Sequence, residues 1–299
     1  MEKIKIIITG SNGLLGQKLV QLFVANDFEV FAFSKGQNRN TFIDGYEYYN
    51  VNITSFERVT KLIHKLRPHF IINAAAMTNV DICEFRKREC EEINFRAVEN
   101  MIEACHRHKV HLIQISTDFV FDGEKGFYTE DDKPNPVNNY GLSKYKAEKA
   151  LKRSKIEHTI LRTILVFGLV DNANKSNVVL WVKDSLEKKT KIKVVTDQYR
   201  MPTLSDDLAD ACLLAVQQKA TGIYHISTNE LMSIHEIALH IADTFKLDKE
   251  LIIPITTPEL RQKATRPVKT GFKIDKAIEE LGFIDASFKE RLQVFSLQL

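Results

Sequence analysis

The chain opens with an apolar, strand-like run, Lys5-Ile6-Ile7-Ile8-Thr9, that passes directly into Gly10-Ser11-Asn12-Gly13-Leu14-Leu15-Gly16. A strand, glycines spaced GxxGxxG and the start of a helical pattern, in that order, leave few folds open. Glycines at such positions let the backbone approach a pyrophosphate closely and let helix pack tightly on strand. The helix start then offers unpaired N–H groups and the positive end of its dipole to phosphates. The arrangement supports a dinucleotide site at the head of a βαβ unit.

The rest of the first half keeps this rhythm. Residues 4–9, 29–33, 70–73 and 110–116 are short runs rich in β-branched or aromatic residues. Residues 14–25, 55–66 and 91–108 between them read as helices. Strands alternating with helices predict a parallel sheet covered on both faces, and near-continuous apolar strands fit that burial. A helix over 140–153 and a strand over 158–166 extend the pattern.

Beyond residue 167 the rhythm loosens. Residues 174–177 are polar, helices are expected over 178–188, 205–217 (with Ser205 as N-cap) and 233–245, and a strand over 191–195. A further strand over 251–255 is ended by Pro254 and Pro258. The expected fold is α/β: a doubly wound parallel sheet in residues 1–166 and a smaller C-terminal α/β substrate lobe in 167–299, with segments interleaving between the two.

Composition narrows the partners. At 44% hydrophobic and 27% charged the chain has the make-up of an ordinary soluble globular protein. A net charge of only +3 implies no polyelectrolyte partner, so nucleic acid is not expected. Cys83, Cys90, Cys105 and Cys212 form no CxxC pair, which reads as reduced thiols in a reducing compartment. The first apolar run is too short for a signal segment, and no stretch approaches the ~20 apolar residues of a membrane span. A cytoplasmic protein without a membrane partner is expected. No metal is expected either: His235 and His240 form HExxxH, whose spacing does not put both rings on one helix face. His106, His108 and His111 straddle a helix-to-strand connection, where a solvated or dipole-complementing role is expected.

The second strand runs out as Val30-Phe31-Ala32-Phe33-Ser34-Lys35, with Arg39 nearby and no carboxylate at its end. Dinucleotide sites that take a free ribose hydroxyl usually carry an acid there. A basic, hydroxyl-bearing turn suits a 2′-phosphate, so NADP(H) is preferred and NAD(H) remains open; the plain alternative is a solvated loop.

YxxxK occurs twice, as Tyr140/Lys144 and Tyr145/Lys149. Their offset turns the two tyrosines about 140° apart on a helix, so they cannot serve one site. Tyr140 stands at the helix start, downstream of Ser116-Thr117-Asp118 at the C-terminal end of a parallel strand, where ligands of open α/β sheets bind. Tyr145 is expected to face solvent or pack sideways. A free phenol has a pKa of about 10. An ammonium one turn away, and the charge of a bound nicotinamide, would stabilise its phenolate. Thr117 would supply a hydroxyl to the substrate carbonyl.

With these segments in view, the chain resembles the extended short-chain dehydrogenase/reductases, and among them the dTDP-4-dehydrorhamnose reductases. The likeness runs in order through the glycine loop, residues 73–81 (Asn-Ala-Ala-Ala-Met-Thr-Asn-Val-Asp), residues 116–123, Tyr140-Gly141-Leu142-Ser143-Lys144, Leu161-Arg162-Thr163, Asp197-Gln198 with Pro202-Thr203, and Arg266-Pro267. The resemblance implies a Rossmann-type sheet and a catalytic set of Thr117, Tyr140 and Lys144. It implies cofactor contacts at Gly10, Ser11, Asn12, Gly13, Leu14, Gly16, Ser34, Lys35, Asn52, Ala74, Ala75, Ala76 and Thr78, besides Tyr140 and Lys144. For the substrate, a dTDP-linked keto-sugar, it implies Asp118, Thr163, Gln198 and Arg266.

The implied reaction passes a hydride from nicotinamide to the sugar's C4 while Tyr140 protonates the alkoxide. Related dehydratases carry Glu after the Thr-Asp pair; Phe119 here favours a reductase. The reductases usually have Tyr at Phe119, Trp at Leu165 and Gly at Arg200, and these departures bear on the sugar. Arg266 suits a pyrophosphate or a structural ion pair. Two other readings are a different nucleotide-sugar reductase or epimerase, and a regulatory subunit like the β subunit of methionine adenosyltransferase, which is similar at Arg200-Met201-Pro202-Thr203. A homodimer is left open.

Overall fold

A computed structural model describes residues 3–40, 43–171, 177–260 and 262–299; of the polar stretch 174–177, only Asn177 is among them. Seven parallel strands form the central sheet. They are β1 (Lys5–Thr9), β2 (Glu29–Ser34), β3 (Tyr46–Asn50), β4 (Phe70–Asn73), β5 (His111–Thr117), β6 (His158–Thr163) and the strand Gly222–Ile226. Their order across the sheet is 3-2-1-4-5-6 with Gly222–Ile226 outside β6. The order reverses between β1 and β4, so a crevice opens past the C-terminal ends of those two strands.

Alternation along the strands builds two cores. Ile6 and Ile8 face α1 (Leu14–Ala25) and α8 (Ser205–Gln218), while Ile7 and Ile71 face α2 (Phe56–Leu66) and α5 (Ala97–His108). The strand residues in both clusters are buried, which is why these strands read as unbroken apolar runs.

The expected helix over 91–108 is three pieces. A short α4 (Lys87–Glu91) runs into a π-helical turn, Glu92–Arg96, before α5, and α3 (Val80–Phe85) precedes them. The expected strand 158–166 stops at Thr163. Leu165 adopts a left-handed φ of +42°, and a two-residue strand, Val166–Phe167, leaves the sheet for the lobe.

The lobe has its own core, with Phe167, Val182, Ile237, Phe288 and Phe295 fully buried between α7 (Val178–Glu187), α9 (Ile234–Phe245) and the helix Phe288–Ser296. Ser233 caps α9 through a capping box with Glu236. Ser205 is not a cap: Leu204 holds that position, and the Ser205 hydroxyl donates to Asp206 instead. Pro254 does not end its strand but lies inside Ile252–Ile255, paired with only one neighbour, Ile192–Val195.

Candidate active site

The C-terminal edge of the sheet gathers the site. β1 runs into Gly10, whose φ is +69° and where an added Cβ would lie 2.8 Å from the Ala75 backbone. A Cβ on Gly16 would lie 2.1 Å from the Gly10 carbonyl oxygen, so α1 sits against the loop at a distance only glycine allows. Gly13 caps α1 without a side-chain hydrogen bond, which leaves the first helical N–H groups, beginning at Leu14, facing outward. Asn12 braces the loop: its amide donates to the Gln37 carbonyl at 2.8 Å and its carbonyl accepts the Arg39 N–H at 2.9 Å. The Ser11 hydroxyl is buried with no protein partner. An orphaned donor, an open helix start and a cradle that any side chain would fill fit a diphosphate.

Ala74, Ala75 and Ala76 continue β4 beside this loop, where Thr9 donates to Asn73 at 2.6 Å and accepts the Ala75 N–H at 3.3 Å. Thr78 is exposed. Ser34 ends β2. Lys35 and Asn52 line a cavity of about 830 Å³ together with Arg86, Lys87 and Arg88. Sequence reasoning passed over these last three, although their run of charge was visible; folding brings them from α4 and the residue before it to the end of β2.

Asn138, Glu84 and Ser143 fix the start of α6 (Asn139–Arg153). Asn138 caps it, accepting the Gly141 N–H at 2.8 Å and donating to the Thr265 carbonyl at 2.8 Å. Glu84 of α3 accepts the Asn139 N–H at 2.7 Å. Ser143 donates to the Tyr140 carbonyl at 2.7 Å and receives Asn94 at 3.1 Å. The Lys144 ammonium donates to the Ile115 carbonyl at 2.6 Å. The Tyr140 phenol lies within hydrogen-bonding reach of the Thr117 hydroxyl. Its ring meets Phe119 edge-on at 5.9 Å.

Thr117, Tyr140 and Lys144 thus stand together. Tyr145 turns toward the cluster around Phe121, with Lys149 5.6 Å from its ring.

Burial dominates the electrostatics. It pushes the Tyr140 phenol above its ordinary value and Lys144 down to about 8, with Glu148 opposing the latter. In the chain by itself the phenol is not drawn down as expected, because desolvation of the phenolate outweighs the lowering effect of the Thr117 hydroxyl. Cys90, near Ser143, is held down at about 7, first by Cys83.

The candidate substrate residues are placed less uniformly. Asp118 adjoins Thr117, is buried, and accepts hydrogen bonds from Thr117 at 3.0 Å and from Thr270. Arg200 stands 3.7 Å from its carboxylate, 5.3 Å over the Phe119 ring, and donates to the carbonyls of Tyr199 and Pro267 at 2.7 and 2.8 Å. Thr163, at the end of β6, donates to Thr203 at 3.0 Å. Gln198 donates to Thr257 and Gln262, each at 2.9 Å. Arg266 grips Asp81 at 3.2 and 2.7 Å and holds that carboxyl below its usual range. The polar partners of the Gln198 and Arg266 side chains are thus Thr257, Gln262, Asp81 and the Ala264 carbonyl, and not Tyr140 or Lys144.

Among the histidines, His111 departs from expectation. It is buried against Thr159 at 2.8 Å, and desolvation drives it down to about 4, so it is a neutral core residue and not a solvated one. Glu236 of the HExxxH segment is engaged in the capping box, and among the described residues no group of three or more His, Cys, Asp or Glu is placed to hold a metal. No helix of the described residues is long and apolar enough to cross a membrane.

Residues 4–298 match the RmlD substrate binding domain. The dTDP-4-dehydrorhamnose reductase of Aggregatibacter actinomycetemcomitans is 31% identical, over 97% of this chain and 97% of its own. The methionine adenosyltransferase 2 subunit beta of Danio rerio is 30% identical, over 93% of this chain and 85% of its own. The crystal structure of dTDP-4-dehydrorhamnose reductase from Bacillus anthracis in complex with NADP superposes with a TM-score of 0.89 at 29% identity, covering 100% of both chains. A sheet wound in this order, a glycine cradle at its crevice and a match over nearly every residue make the chain a member of the RmlD substrate binding domain family.

Proposed function

We propose that the chain is an NADP(H)-dependent oxidoreductase that reduces the 4-keto group of a nucleotide-linked deoxysugar, in the manner of the dTDP-4-dehydrorhamnose reductases. The observation that carries this reading is the placement of Tyr140, Lys144 and Thr117 at the end of β5, one strand beyond the crevice that holds the glycine loop. The similar reductases from A. actinomycetemcomitans and B. anthracis support it, the latter with NADP bound.

The nicotinamide, when bound, supplies the hydride. The chain's residues then have three tasks. The glycine loop and α1 hold the diphosphate, with the buried Ser11 hydroxyl as an added donor. Thr117 orients the carbonyl oxygen. Tyr140 gives that oxygen a proton, and the burial that raises its pKa keeps the proton on it at neutral pH, as a donor requires. Lys144, anchored on the Ile115 carbonyl, sets a positive charge where the alkoxide develops. Phe119 occupies the position beside Tyr140 where an eliminating enzyme would place a second base.

The test is NADPH oxidation with dTDP-4-keto-6-deoxy-L-mannose. Turnover is expected; its absence, with specific capture of a partner enzyme, would favour the second reading, a regulatory subunit. One observation favours that alternative: the 30% identity to the zebrafish β subunit. Cofactor choice is tested separately. Lys35 lines the cavity with Arg86, Lys87 and Arg88, so Lys35→Glu is expected to raise KM for NADPH about tenfold while changing KM for NADH less than twofold. Equal effects on both cofactors would remove Lys35 from 2′-phosphate recognition. The same proposal places the protein in the cytoplasm, in keeping with its four free cysteines.

A further inference from the structure

The helix that carries Tyr140 and Lys144 presents a third ionisable residue one turn further on. Glu148 lies at the next i+4 position of α6 and is 0% exposed. Its carboxylate accepts Ser116 Oγ at 2.6 Å, Arg162 Nε at 3.0 Å and Arg162 Nη2 at 2.7 Å. Arg162, also 0% exposed, directs Nη1 to His225 Nε2 at 3.2 Å. His225 in turn donates from Nδ1 to the Tyr128 carbonyl at 3.2 Å, which leaves Nε2 as the acceptor for Arg162. Burial, then Arg162, hold that imidazole neutral. One network therefore ties α6 to β5, β6 and the strand Gly222–Ile226.

A buried ion pair is a poor device for stability, since apolar residues of the same volume often do as well or better. Its position gives it another use. Ser116 lies between Ile115, whose carbonyl receives Lys144, and Thr117, which meets Tyr140. The Glu148–Ser116 bond thus clamps α6 to β5 at the residue flanked by both contacts. The charged and titratable groups facing the Tyr140–Lys144 pair are Glu148 on α6, Asp118 after β5, Cys83 on α3 and Cys90 on α4. Asp118 is answered by Arg200.

We propose that Glu148, held by Ser116 and Arg162, is the positioning residue of the Tyr140–Lys144 pair, fixing the register of α6 on β5 and setting a negative charge behind the Lys144 ammonium. This rests on the reductase reading for its kinetic consequences but not for its geometry. Deleting the charge in Glu148→Gln favours whichever state of the pair holds fewer protons, so the pair loses its proton at lower pH whichever member releases it.

The test uses the full-length protein. In Glu148→Gln the alkaline limb of the kcat profile is expected to move down by about one pH unit. The titration of Lys144, followed by its 13Cε resonance in lysine-labelled protein and assigned with Lys144→Arg, is expected to move with it. Glu148→Asp, which keeps the charge, is expected to restore the limb. Ser116→Ala, with every charge in place, is expected to lower kcat about tenfold with the limb unmoved. A lower Tm in Glu148→Gln with limb and Lys144 titration unchanged would overturn the assignment. So would wild-type kcat in Ser116→Ala, which decides the matter if the Gln variant does not fold. A wild-type enzyme without turnover, but with a Lys144 titration that shifts in Glu148→Gln, would overturn the reductase reading and leave the assignment standing.

Discussion

Tyr140→Phe is expected to lower kcat by about 10²–10⁴-fold, the range for loss of a positioned proton donor, while leaving KM for NADPH within about twofold. The substitution keeps the ring and its edge-on contact with Phe119 and removes only the hydroxyl that meets Thr117. Lys144 stays anchored on the Ile115 carbonyl, so cofactor binding retains its cation. Tyr145→Phe serves as the control, because Tyr145 packs toward the Phe121 cluster on another face of α6. Near-wild-type turnover for Tyr140→Phe, with loss for Tyr145→Phe, would reverse the assignment of the helix face.

Gly141→Ala is expected to cost about 100-fold in kcat although it touches no reacting group, since a shift of about 1 Å at a positioned pair has an effect of that order. A Cβ at Gly141 would lie 2.0 Å from the Phe119 carbonyl oxygen and 2.9 Å from its carbon. Those atoms are backbone of the turn that follows Thr117, and no side-chain rotation can clear them. The first turn of α6 must therefore move away from the end of β5, parting Tyr140 from Thr117. The strain is expected to lower stability by about 1–3 kcal/mol. Leu142→Ala, at an exposed neighbour, is the reference. If Gly141→Ala melts lower but keeps its kcat, the contact between Tyr140 and Thr117 is not a determinant of rate.

What could be read in the chain beforehand follows the range of the forces involved. The glycine loop and the Tyr140–Lys144 pair are local patterns, each complete within a few residues. β1 and β4 were legible because burial on both faces leaves an unbroken apolar run, and β5 because Leu112, Ile113 and Ile115 keep most of one. β3 was not, because Tyr46-Glu47-Tyr48-Tyr49-Asn50 is an edge strand with no fully buried residue. The strand Gly222–Ile226 was missed because it opens on a glycine and carries His225, a residue made tolerable there by Arg162 and a stacked Phe272 ring 3.9 Å away. The π turn at Glu92–Arg96 leaves helical periodicity nearly intact, so pattern could not divide that helix. The ion pairs Arg266–Asp81 and Arg200–Asp118 join residues far apart in sequence, and Arg162–Glu148 joins a strand to the helix before it. Only the fold shows which charges meet.

The strand Gly222–Ile226 and helix α8 return to the central sheet after the chain has already entered the lobe at Val166–Phe167, and the chain then leaves again for α9. Neither half is a continuous stretch of gene. A fragment ending at residue 166 would expose the outer edge of β6, an open template for pairing between chains. Grafting a lobe from a relative to change the sugar accepted would need several splice points chosen together. The same repeated crossings tie sheet and lobe through several chain segments, an arrangement that favours small rocking or shear over the wide swing of a lid on one hinge.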